Sequence, residues 1–168
     1  MSQAEGILDQ LTQIVLTLGY LGAFLSGFLG SSSLFISVFP SFIVVPFLAT
    51  QLNPLLIGIL AGLGAGLGQF LHYYVGLGGR KFLGSFSFKR LDKYLELMKN
   101  KLQRYTTLIV FLFAVTPLTP DDIIWIPLGL MRHPKLKPLL AAMAGKVILN
   151  LIYAYAGFYG WEFIKQFF

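Results

Sequence analysis

Two adjacent carboxylates, Asp121 and Asp122, interrupt an apolar run between Thr107 and Met131, bracketed by Pro117, Pro120 and Pro127. A carboxylate at hydrocarbon depth is costly unless it faces water or a partner inside the protein. Two chemistries fit the pair. One carboxylate, desolvated and beside a like charge, has a raised pKa and takes up a proton during transport. Alternatively, Thr119-Pro-Asp-Asp122 is a helix start, with Thr as N-cap, Pro at the first position and Asp three residues after the cap. Lys146, inside the last apolar segment, either neutralises these acids, contacts an anionic lipid phosphate, or snorkels to the surface along its stem. Asn150 and Gln69 supply interhelical hydrogen bonds or line a pathway, and His72 relays protons or bonds a neighbouring helix. An aspartyl protease or phosphatase needs a second catalytic motif, and the matching position holds Pro40-Ser41. No catalytic residue, cofactor or metal site is therefore expected, and the absence of cysteine removes thiolate chemistry and disulfides.

The elements that must position these groups are apolar. A hydrophobic fraction of 56%, a charged fraction of 12% and a mean hydropathy of +0.73 indicate a membrane protein. No fixed charge occurs between Asp9 and Arg80. Ile7 to Leu29 is long enough to span a bilayer. Leu34 to Thr50, broken by Pro40 and Pro46, is too short and too interrupted to cross, which fits a re-entrant segment. Leu55 to Gly79 forms a helix with Gly58, Gly62 and Gly66 on one face and Gly64 and Gly68 on an adjacent one. That spacing suits close helix packing and lacks the strand and ribose-binding acid of a nucleotide loop. Tyr105 to Met131 contains a half-helix from Pro120, about 18 Å long, which suits a hairpin rather than a span. Pro138 to Trp161 is the last span, preceded by the basic turn Arg132-His-Pro-Lys-Leu-Lys137. The 168 residues are read as one membrane domain: a first half over 1–83, a connector over 84–104 and a second half over 105–168. The start of the chain lacks a basic n-region, so no cleavable signal peptide is expected.

Of the net charge of +6, all is matched by the segment Arg80–Arg104, with eight Lys/Arg against Asp92 and Glu96. Leu91, Tyr94, Leu95, Met98, Leu102 and Tyr105 recur there at helical steps, predicting an amphipathic helix on the cytoplasmic membrane surface or a linker helix on the protein itself. Such a cluster beside a span is expected on the cytoplasmic side, attracted to anionic headgroups rather than to nucleic acid. If the Tyr105–Met131 segment dips in and returns, Arg132, Lys135 and Lys137 also lie inside and act as topology determinants.

Sliding the chain by 81 positions pairs Pro46 with Pro127, Ile43 with Ile124, Ala61 with Ala142 and Gly64 with Gly145. The same shift pairs Gln69 with Asn150, Tyr74 with Tyr155, Gly76 with Gly157 and Phe82 with Phe163, and Pro40 falls on Pro120 with one gap. Each half reads as a proline-bracketed short segment followed by a span, and the topology makes the halves opposite in orientation. Inverted repeats with broken helices are a transporter architecture.

The run Gly145-Lys-Val-Ile-Leu149-Asn150, continuing to Tyr155, resembles a pattern of the DedA family, also called the VTT or SNARE-associated Golgi protein family. There Asn150 stands where the family usually has Thr. Ile126 to Met131 followed by Arg132 resembles the exit of the family's second hairpin. The resemblance covers about Gly22 to Gly160. Ser31 to Pro46 lacks the family's usual Glu, and Val115-Thr116 stands where an Arg usually precedes the second hairpin, so the proton-coupled subtype's acid–base set is only partly present. The resemblance implies two opposed re-entrant hairpins and movement of phospholipid or polyprenyl-phosphate lipid between leaflets.

The expected fold is thus an all-α, multi-pass protein of the cell membrane, an inverted repeat of hairpin plus transmembrane helix with an amphipathic cytoplasmic helix. The expected function is a lipid transporter or scramblase with anionic lipids, and protons if Asp121 or Asp122 titrates, as partners. A proton-coupled transporter of a small solute and a non-transporting scaffold are the alternatives. Self-association is left open.

Overall fold

The computed structural model describes residues 3–32, 41–83, 105–117, 122–132 and 134–166, and side chains from Leu18 onward except those of residues 81–83, 122 and 123. Every regular element among them is helical. The elements are α1 (Gln3–Ser32), α2 (Ser41–Ala49), α3 (Pro54–Leu83), α4 (Thr106–Val115), α5 (Asp122–Leu130) and α6 (Leu136–Lys165). Among the described residues two stretches, Pro54–Arg80 of α3 and Leu136–Lys165 of α6, are long and apolar enough to cross a membrane.

Local chemistry accounts for the boundaries. Asn53 caps α3, its Oδ1 accepting from the N–H groups of Leu55 at 2.9 Å and Leu56 at 3.3 Å, and Pro54 fills the first position, where no N–H is needed. α5 ends on Met131 N–H donating to Pro127 O, after which Arg132 adopts a left-handed conformation (φ 50°) that stops the helix. α6 begins at Leu136, two residues before the Pro138 expected to open it, because Pro138 in the first turn costs no hydrogen bond. The basic turn is correspondingly shorter, with Lys137 inside the helix. α2 and α5 each hold nine residues with proline at the sixth, Pro46 and Pro127.

The long helices α3 and α6 cross antiparallel. A Cβ added at Gly58 would meet Leu151, one at Gly62 would meet Val147, and one at Gly66 would meet Met143. Gly64 and Gly68, on the neighbouring face, instead meet the α1 backbone at Phe24 and Phe28. The two glycine faces therefore serve two partners, and neither can accept a side chain without separating helices. A shift of 81 carries Gly62 to Met143 and Gly66 to Val147, so these two contacts exchange with each other.

The two proline-bearing short helices, α2 and α5, each rest on the long helix of the other half. Gly157 of α6 abuts the Pro46 backbone of α2, and the matched Gly76 of α3 abuts the Ile126 carbonyl of α5. The end of α2 and start of α3 lie beside α1, where Gly19 faces Leu52 and Asn53 N–H reaches Tyr20 Oη at 3.4 Å. At the opposite end, Arg80 Nη1 donates to the Leu130 carbonyl at 2.7 Å, so the exits of α3 and α5 meet. Two small cores result. One gathers Tyr73, Val110, Ala114, Trp125, Leu128, Met131 and Ala142; the other gathers Ala23, Val45, Ala49, Ile57, Ala61 and Ala154.

Candidate functional site

A partly open cavity of about 170 Å³ lies where helix ends converge on the middle of α6. Its walls are Gly30 and Ser31 from the end of α1, Ser41 and Phe42 from the start of α2, Pro117 after α4, Ala65 of α3, and Lys146, Leu149, Asn150 and Tyr153 of α6. Lys146, Asn150 and Tyr153 fall at i, i+4 and i+7 and share one face of the helix. Lys146 stands ten residues, about 15 Å, after the start of the 30-residue α6, so the face from Lys146 to Tyr153 covers the central part of that helix.

The polar lining is held in place by backbone contacts. Ser41 Oγ donates to Ser26 O at 3.2 Å and fixes the start of α2 against α1. Asn150 Nδ2 donates to Lys146 O at 2.8 Å, while its Oδ1 is buried with no hydrogen-bond partner among the described residues. Pro46 lacks the N–H that would bond the carbonyl four residues back, that of Phe42 in the cavity wall. Thr116 Oγ1 donates to Leu112 O at 2.7 Å and closes α4 just before Pro117.

The cavity unites Lys146, Asn150 and Pro117. Asp122 opens α5, but its side chain, and Asp121, Pro40, Pro120 and Thr119 altogether, lie outside the described residues, as does the expected amphipathic helix over 84–104. Gln69 and His72 lie on α3, one and two turns beyond Ala65, and both are 1% exposed. His72 Nε2 is 3.1 Å from Ser32 O. Gln69 Oε1 and Nε2 have no hydrogen-bond partner among the described residues, a condition that costs about 1–3 kcal/mol per group.

The basic residues stand apart from the cavity, at the Arg80 end. Arg132, Lys135 and Lys137 are exposed. Lys135 Nζ donates to Tyr74 Oη at 3.0 Å and lies 5.7 Å from the centre of the Phe70 ring. The Tyr74 hydroxyl raises the Lys135 ammonium above its ordinary pKa.

Sequence reasoning missed Ser31, Ser41 and Tyr153 as cavity residues. Tyr153 was legible: it follows Asn150 by three residues and is matched to His72 by the 81-residue shift. Ser31 and Ser41 carry no such signal, since only the meeting of α1 and α2 with α6 gives them a common wall.

The model of the VTT domain matches residues 39–159, a stretch that begins just before α2 and ends within α6. No curated protein and no solved structure matches the chain.

Proposed function

Because the chain belongs to the VTT-domain family, the DedA/SNARE-associated family of membrane proteins, we propose that it moves lipid headgroups between the leaflets of a membrane. The observation that carries this reading is the cavity: small, walled by Lys146, Asn150, Tyr153, Ser31 and Ser41, and sited halfway along a membrane-length helix. Its volume of about 170 Å³ is below the roughly 300–1,000 Å³ of clefts that enclose a whole drug-sized molecule. A phosphate-sized head fits while its acyl or prenyl tails remain in the bilayer; an enclosed soluble solute fits less well. In this reading Lys146 meets the anionic phosphate and Asn150 offers a hydrogen bond. Asp121 or Asp122, at the sequence junction leading into α5, takes a proton or senses the phosphate.

The same proposal reads the Leu34–Thr50 segment, which holds α2, and the Tyr105–Met131 segment, which holds α4 and α5, as the re-entrant segments of an inverted repeat. Three matches support it: α2 and α5 of equal length and proline position, exchanged glycine contacts on α3 and α6, and the Gly76/Gly157 seats. Arg80, Leu130 and Lys135 meet at one end, so the basic residues share one face of the membrane, proposed as cytoplasmic, with Asn53 at the other.

Purified protein in liposomes, assayed for exchange of fluorescent lipids without ATP, tests the function. Exchange that exceeds protein-free liposomes and drops in Lys146→Met and in the Asp121→Asn/Asp122→Asn pair is expected. Solute flux driven by a pH gradient in the absence of lipid exchange would replace this reading with the solute-transporter one.

A further inference from the structure

The cavity-lining face of α6 has a matched face on α3. The 81-residue shift that pairs Asn150 with Gln69 also pairs Lys146 with Ala65 and Tyr153 with His72. On α6 all three residues line the cavity; on α3 Ala65 does, whereas Gln69 and His72, each 1% exposed, stand outside its lining. Gln69 lies at the depth of the cavity wall. The residue before it, Gly68, meets Phe28 of α1, and three residues after it His72 approaches Ser32 O. Between those two contacts α1 supplies Gly30 and Ser31, which line the cavity, and one turn back along α3 Ala65 lines it too.

A buried primary amide with both ends unbonded among the described residues is a group held ready for a partner, since burial without hydrogen bonds is among the costliest arrangements a core side chain adopts. Building on the headgroup reading above, we propose that Gln69 is a second headgroup station, neutral where the first is cationic, which opens when the end of α1 moves away from α3. An amide both donates and accepts, so the station selects for hydrogen bonding rather than charge. The chemistry it fits is a hydroxyl-bearing headgroup, whose phosphate Lys146 holds while a hydroxyl bonds Gln69. A choline headgroup, without hydroxyl or N–H, gains nothing from it.

The test is leaflet exchange in liposomes, with fluorescent phosphatidylglycerol and phosphatidylcholine compared in wild type, Gln69→Leu and Gln69→Asn. Gln69→Leu is expected to slow phosphatidylglycerol exchange about tenfold, the rate equivalent of one hydrogen bond, and to leave phosphatidylcholine within about twofold. Its apparent melting temperature in detergent is expected to rise by about 3 °C, because an unsatisfied amide has been removed. Gln69→Asn, which keeps the amide, restores most of the phosphatidylglycerol rate. Equal slowing of both lipids, or no slowing of phosphatidylglycerol in a folded Gln69→Leu or Gln69→Met protein, overturns the station and leaves the Lys146 cavity standing. A wild type that exchanges neither lipid removes the headgroup reading and this station with it.

Discussion

The α6 face bearing Lys146, Asn150 and Tyr153 and the α3 face bearing Ala65, Gln69 and His72 occupy matched positions on two antiparallel helices, yet the first borders the cavity along its length and the second only at Ala65. What differs is the cover. Over α6 the ends of α1 and α2 and the residue Pro117 stand back and leave about 170 Å³. Over α3 the α1 backbone is drawn in by Gly64 and Gly68, and Trp125 of α5 packs edge-on against Phe70 at 5.8 Å. The side chains follow the cover. The cation stands on the face that borders the cavity along its length, and its matched position, Ala65, is an apolar patch in the part of the cavity wall that α3 supplies.

Substitutions that push the two faces toward or away from each other test this contrast. The largest effect is expected from Lys146→Glu, which puts like charge against an anionic headgroup; exchange of anionic lipid is expected to fall about a hundredfold, read in liposomes. The neutral Lys146→Met is expected to lower it about tenfold to thirtyfold, with a smaller effect on zwitterionic lipid. Installing a cation on the sealed part of α3, Gln69→Lys, is expected to destabilise the protein by about 3 kcal/mol, measured by thermal unfolding in detergent, because residue 69 is 1% exposed and lies outside the cavity lining. A fold unaffected by Gln69→Lys would mean that the α3 face is as open as its partner. Gly76→Val and Gly157→Val, at matched seats for Ile126 and Pro46, are each expected to cost about 1–3 kcal/mol, and a large inequality between them would break the equivalence of the two halves. Gly78→Ala, with open space at its Cβ position, is the smallest change and is expected to lie within about 0.5 kcal/mol of wild type.

Much of this arrangement is legible in the residues because membrane helices encode their neighbours in small side chains. Gly58, Gly62 and Gly66 announce one close partner and Gly64 and Gly68 another, and those partners are α6 and α1. Pro46 and Pro127 mark two short helices whose lengths agree to the residue. The membership of the site is only half legible. Lys146 and Asn150 stand out as polar groups in an apolar helix, and both border the cavity. Ser31 and Ser41 do not stand out, since a serine at a helix end is commonplace and its place in a wall depends on helices distant in sequence. The bond from Arg80 to the Leu130 carbonyl is hidden for the same reason: the arginine's charge points to the membrane surface, not to a backbone acceptor fifty residues away.

The seating of α2 and α5 each on the far half's long helix has a consequence for how the protein is made. Gly157, the seat for Pro46, leaves the ribosome roughly a hundred residues after it. Until then the apolar α2 has only α1 and the start of α3 to lean on, and the face destined for α6 meets lipid, translocon or chaperone. The connector between the halves sets the length of that wait. A chain interrupted there would yield two fragments, each with an empty seat shaped for the other, so co-expressed halves are expected to find each other while either alone is degraded.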